Sequence, residues 1–92
     1  MADRIATIRE MLETEPDDPM LRYSLAFELA KIGEEDEAIE WYARCLEVDP
    51  DYHYAAYHQA RTLDAAGRTD DAIAAARAQL PRAQAAGDGK AA

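Results

Sequence analysis

The sequence predicts an all-α protein built from five helices. Ala, Glu, Leu and Arg dominate the 92 residues, and all four are strong helix formers. No stretch shows the alternation of apolar and polar residues that is typical of a strand, and β-branched residues are few. Proline and glycine divide the chain into helix-length segments. With 21 alanines and one cysteine, the chain depends on helix packing or oligomerisation for its stability.

An acidic loop with two prolines, residues 16–19, separates the first two helices. Residues 3–14 are predicted to form the first helix, with an apolar stripe at i, i+3 and i+7: Ile5, Ile8 and Leu12. In the loop, Asp18 can cap the second helix and Pro19 suits its first turn. The second helix ends at about Ile32, because the next residue is a glycine, the typical C-terminal stop.

The remaining three helices also begin and end at recognisable signals. The third, over roughly 35–48, opens with three acidic side chains at the positive end of its dipole. The Asp-Pro-Asp sequence at 49–51 ends it, and the fourth helix spans roughly 52–66. The fifth helix starts after Thr69. Pro81 lacks a backbone donor and is expected to end or kink it.

A period of 34 residues relates these helices to one another. Eight positions of 19–52 recur unchanged in 53–86: Tyr23/Tyr57, Ala26/Ala60, Leu29/Leu63, Gly33/Gly67, Asp36/Asp70, Ala38/Ala72, Ile39/Ile73 and Leu46/Leu80. The first helix shares the register through two triplets: Ile5/Ile39/Ile73 and Leu12/Leu46/Leu80. Each period contains a helix, a glycine turn and a second helix, so the repeating unit is a helical hairpin.

This pattern resembles the tetratricopeptide repeat family. The resemblance rests on the family's spacing of large, small, aromatic and proline positions, seen here as Leu25-Ala26, Leu29, Gly33, Ala38-Ile39, Tyr42, Cys45 and Pro50. Arg22 stands where the family usually has Trp, and the second repeat departs further from the pattern. The resemblance implies a short right-handed α-solenoid of antiparallel helical hairpins. It explains Ala26 and Ala38 as sites of close helix approach.

We expect one domain over residues 1–86. It consists of a half repeat at 2–16, a full repeat at 19–52 and a degenerate repeat at 53–86. Residues 87–92 are expected to form a disordered tail.

The net charge of −9 argues against nucleic acid and anionic membranes as partners. Residues 1–51 carry 15 acidic and 5 basic side chains, whereas residues 52–92 carry 4 and 5. Two explanations of the acidity stay open, a high-salt environment and a polarity along the solenoid. The lone cysteine and the lack of an apolar N-terminal segment lead us to expect a cytoplasmic protein.

No residue pattern indicates an active site, a metal site or a cofactor. His53 and His58 are five residues apart and do not share a helix face as paired metal ligands would. Cys45 occupies a small buried position of the repeat, so we interpret it as a core residue. Trp41 is interpreted mainly as packing against the first helix. We therefore expect no enzyme activity.

The second helix is apolar on two faces, which is the most informative functional feature. One stripe is Leu21, Leu25, Leu29 and Ile32; the other is Met20, Tyr23, Phe27 and Lys31. In the family, the first helix of each hairpin lines a concave partner-binding groove. The resemblance therefore implies this lining: Met20, Tyr23, Phe27, Lys31, Tyr54, Tyr57, His58 and Arg61. Tyr23 and Tyr57 also suit the seam between hairpins.

Two functions compete for this sequence. The leading hypothesis is an interaction module that binds a protein or peptide segment in the groove, with aromatic and Arg side chains providing recognition. The family's clamp for C-terminal carboxylates is not expected, because Tyr23, Phe27 and His58 occupy positions where it has Lys and Asn. The alternative is a self-associating homodimer, since a short solenoid with an Ala-rich last hairpin leaves helical faces exposed.

Overall fold

The computed structural model describes the backbone of residues 2–91 and the side chains of residues 4–81. It contains the five predicted helices: α1 (Ala2–Thr14), α2 (Pro19–Lys31), α3 (Glu35–Val48), α4 (His53–Ala65) and α5 (Thr69–Ala91). No strand occurs in the described backbone, so the predicted all-α class is confirmed.

Each helix packs against the next one along the chain. The tightest pairs are α2 with α3 and α4 with α5, which form the two hairpins. α3 packs on α4 and joins the hairpins, α1 covers the outer side of α2, and α2 also touches α4. The result is a short row of hairpins in which α2 and α4 lie side by side.

The helix ends use the capping residues that the sequence indicates. The Asp18 carboxylate accepts hydrogen bonds from the backbone N–H groups of Met20 and Leu21, at 2.8 and 3.2 Å. Gly33 and Gly67 follow α2 and α4 with φ of 86° and 80°, a left-handed conformation that favours glycine. Both turns make the same pair of Schellman hydrogen bonds to the preceding helix, so the hairpins turn in the same way.

The core lies mainly along α2 and α3, between α1 and α4. Tyr42 and Cys45 are its largest buried residues on α3, and three alanines are fully buried where helices approach closely: Ala26, Ala38 and Ala55. Trp41 is half-buried against this core and lines a small cavity with the α1 residues Arg9 and Leu12. Packing against α1 is the role expected for it.

Arg22, at the position where the family usually has Trp, ties three segments together. Its guanidinium donates hydrogen bonds to the carbonyl of Pro16 at 2.8 Å and to the carbonyl of Arg44 at 2.7 Å. It also pairs with the Asp17 carboxylate at 3.0 Å. The loop before α2 is thereby held to the C-terminal part of α3.

Two expectations need correction. Ile32 was placed on one apolar stripe of the second helix, but α2 ends before it; Ile32 forms the C-cap and is 63% exposed. Of the two effects expected of Pro81, an end or a kink, the first does not occur, because α5 runs on to Ala91. The expected tail at 87–92 falls on residues whose side chains lie outside the described part of the chain, and the backbone is assigned to α5 as far as Ala91.

Candidate functional site

A groove of about 260 Å³ runs between α2 and α4, which we call the central groove. α2 and the first residue of α3 form one wall, α4 forms the other, and Tyr42 of α3 lies at the base. Its lining consists of Phe27, Ala30, Lys31, Glu35, Tyr42, His58, Arg61, Thr62 and Ala65. Because α2 and α4 are the first helices of successive hairpins, the groove follows directly from the repeat.

His58 lies in the middle of an aromatic cluster in this groove. Its ring centroid is 5.4 Å from that of Phe27, edge to face, and 6.4 Å from that of Tyr42, nearly parallel. Tyr23 and Tyr57 approach the same ring, at 5.9 and 5.1 Å. Rings at these separations pack favourably. The His58 ring is thus held by four aromatic neighbours on the helices, and the cluster gives the groove an aromatic wall.

The rim of the groove carries both signs of charge. Lys31 and Glu35 lie on the α2–α3 side, and Lys31 lies over the Phe27 ring and pairs with Glu28 at 3.6 Å. Arg61 lies on the α4 side, with its guanidinium carbon 5.7 Å from the Tyr57 ring centroid.

Arg61 differs from most of the basic residues in lacking an acidic partner. Among the eight Lys and Arg residues of 4–81, six form ion pairs, whereas Arg61 and Arg77 form none with another described residue. Burial, and to a smaller extent the nearby Arg61, lowers the pKa of His58, which favours its neutral imidazole. Arg61 is thus the groove's available positive charge.

The structure divides the eight predicted groove residues among several surfaces. Four of them line the central groove: Phe27, Lys31, His58 and Arg61. Tyr23 is half-buried behind them, stacked on Tyr52 at 5.3 Å, and so belongs mainly to the seam between the hairpins. Tyr54 is 72% exposed and lines none of the described cavities.

Met20 and Tyr57 face other cavities at the two ends of the row. Met20 lines a cleft of about 540 Å³ beside α1, together with Met11 and Leu21. Tyr57 lines an apolar cavity of about 280 Å³ between α4 and α5, which we call the terminal seam: His53, Ala56, Tyr57, Ala60, Ala76, Gln79 and Leu80. Residues on one helical stripe, such as Met20 and Phe27, line different cavities. Helical spacing alone therefore does not show which cavity a residue lines.

Two residues that shape the groove were not among those predicted to line it. Tyr42 is only 1% exposed, yet its ring forms the base; its place at the aromatic position of the repeat was the available signal. Thr62 lies one turn after His58 and donates its hydroxyl to the His58 carbonyl at 2.7 Å. The sequence around Thr62, an Ala-rich helix, did not indicate that this residue lines the groove.

The residues with reactive side chains have structural surroundings. Cys45 is fully buried, and burial raises the pKa of its thiol to about 11, so it stays protonated at neutral pH. His53 faces Gln79 on α5, whereas His58 faces α2. Within the described residues, no three His, Cys, Asp or Glu side chains are grouped as metal ligands would be. Among the described residues, no helix combines the length and the apolarity that a membrane span requires.

Comparison with known proteins identifies one family. The family model described as tetratricopeptide repeat matches residues 1–83, which is most of the chain. No curated protein sequence matches it.

Proposed function

Because the chain belongs to the tetratricopeptide repeat family, whose members generally mediate protein–protein interaction, we propose that it binds a protein or peptide segment in the central groove. Domains of this family are typically non-catalytic, and the proposed role requires no cofactor. The function that we propose for the groove is therefore binding.

The observation that carries the proposal is the combination of an aromatic wall with an unpaired cation. Phe27 and His58 offer apolar ring surface, and Arg61 stands beside them without an acidic partner among the described residues. Aromatic and Arg side chains are the residue types that dominate binding energy at protein interfaces. In a chain of net charge −9, an unpaired Arg over an aromatic surface is a distinctive feature.

The groove favours a segment with an apolar side chain next to an acidic group. The apolar side chain would fill the space over Phe27 and Tyr42, since that space is walled by rings. The acidic group would pair with Arg61, whose planar guanidinium can donate two parallel hydrogen bonds to a carboxylate. The neutral His58 can donate or accept one further hydrogen bond.

A peptide library displayed on phage and selected against the full chain tests this proposal. The selected peptides are expected to carry an apolar residue beside Asp or Glu. Their affinity, measured by fluorescence polarisation, is expected to fall at least about tenfold for Phe27→Ala combined with Arg61→Glu. Tyr54→Ala is the matched control, because Tyr54 is an exposed aromatic residue of α4 outside the groove.

Circular dichroism of the same variants separates loss of binding from loss of folding. Unchanged helicity with lost affinity supports the groove. The proposal is contradicted if the peptides bind the double variant as tightly as they bind the original chain. It is also contradicted if Tyr54→Ala abolishes binding and the double variant does not.

A further inference from the structure

The terminal seam lies on the second hairpin and is exposed, whereas the equivalent surface of the first hairpin is covered by α4. Shifting the register by 34 residues relates Tyr57 and Leu80 of the seam to Tyr23 and Leu46. Tyr23 and Leu46 are packed against the core, whereas Tyr57 is 57% and Leu80 is 56% exposed. The difference arises because α4 covers the first hairpin and no described helix covers the second.

The covered surface shows what kind of structure this seam accepts. On the first hairpin, α4 packs against both α2 and α3. Gln59 of α4 donates to the Ile39 carbonyl at 3.5 Å, and His58 lies against Tyr42. In the terminal seam, Ala76 takes the place of Tyr42, so the space is larger than on the first hairpin. The seam therefore fits a helix that brings bulky apolar side chains.

We propose that the terminal seam pairs with the terminal seam of a second copy of this chain, forming a two-fold symmetric dimer. A two-fold interface must be self-complementary, since the same patch contributes both sides. The seam has this property: Leu80 and Tyr57 project beside a floor of small residues, Ala56, Ala60 and Ala76. The bulky residues of one copy can enter the alanine-lined space of the other.

The charge distribution favours this face for pairing two identical chains. Residues 53–81 carry three Asp and three Arg, so the hairpin that forms the seam is neutral. Residues 1–51 carry a net charge of −10, and two copies meeting there would repel each other. Pairing through the second hairpin keeps the acidic halves at opposite ends. Ile73 extends the apolar stripe of α5 by one turn and is 47% exposed.

Analytical ultracentrifugation of the full chain, from low to high micromolar concentration, tests the dimer. The chain is expected to shift from monomer to dimer with rising concentration, equally at low and high salt, because the contact is apolar and neutral. Leu80→Lys is expected to raise the dissociation constant at least about tenfold, since it places two charges in the interface. Ala76→Trp fills the seam and is expected to weaken pairing similarly.

The matched control is Ile32→Lys, which places the same charge at a residue of similar exposure on the first hairpin. It is expected to leave the dissociation constant unchanged. A chain that stays monomeric at the highest concentration overturns the proposal, as does a dimer that Ile32→Lys breaks and Leu80→Lys does not. Association that weakens steeply with salt indicates head-to-tail contact of the acidic and basic halves, and also overturns it. Peptide affinity in the central groove is a separate measurement, so either proposal can fail alone.

Discussion

The two hairpins of this molecule share a register but differ in what surrounds them. α1 covers the first hairpin on its α2 side and α4 covers it on the other, whereas among the described residues α4 and α5 are covered only on the α3 side. Tyr42 is 1% exposed in the first hairpin, and its register counterpart in the second is the exposed Ala76. A side chain contributes to stability through its neighbours, so the same repeat pattern yields one core hairpin and one peripheral hairpin.

The difference also shows in side-chain chemistry. Cys45 is buried in the first hairpin, and its counterpart Gln79 is a polar residue that donates to the Pro50 carbonyl at 3.0 Å. Arg22 bridges the loop before α2 and helix α3 in the first hairpin, and its counterpart is Ala56. The peripheral hairpin thus replaces large packing and bridging groups with small ones, and this leaves the terminal seam open.

The largest expected effect comes from exchanging residues between the two register positions. Tyr42→Ala is expected to reduce the free energy of unfolding by about 3–5 kcal/mol, because it leaves a cavity in the core between α2, α3 and α4. Ala76→Tyr is expected to change it by less than about 1 kcal/mol, since the added ring enters open space. Urea denaturation followed by circular dichroism measures both, at a protein concentration where the chain is monomeric. Equal losses for the two variants would remove the distinction between core and peripheral hairpins.

Next in size is the loss of the Arg22 bridge. Arg22→Ala is expected to cost about 2 kcal/mol, because it leaves the Pro16 and Arg44 carbonyls without their charged donor. Arg68→Ala in the second hairpin is the comparison, since Arg68 pairs only with the exposed Asp71 at 3.0 Å. That variant is expected to cost less than about 0.5 kcal/mol. A loss for Arg68→Ala as large as that for Arg22→Ala would contradict the comparison.

The smallest expected difference is between the two glycine turns. Gly33→Ala and Gly67→Ala are each expected to cost about 1 kcal/mol, because both residues have positive φ and a side chain there is strained. Neither position has a heavy atom within 4 Å of the added Cβ, so sterics add nothing to the backbone cost. Thermal unfolding of the two variants measures the costs. A difference of more than about 1 kcal/mol between the two losses of stability would show that these turns are not locally equivalent.

Much of the candidate groove was accessible from the sequence, but its boundaries were not. Phe27, Lys31, His58 and Arg61 line one groove, because they lie on facing sides of the first helices of two hairpins. Met20 lies on the same stripe as Phe27 yet faces the cleft beside α1. A helical stripe specifies a direction around one helix, and the neighbouring helix determines which cavity that direction faces.

The sequence by itself determined the helices, their caps and their repetition. These features depend on contacts within about one turn, such as the Asp18 cap and the Schellman hydrogen bonds after Gly33 and Gly67, and the residues that make them are adjacent in the chain. The tertiary structure decided which repeated residues are buried. Leu46 and Leu80 are identical in type and register, and only Leu46 packs against the core. Burial depends on the presence of a neighbouring helix, which the pattern within one repeat does not specify.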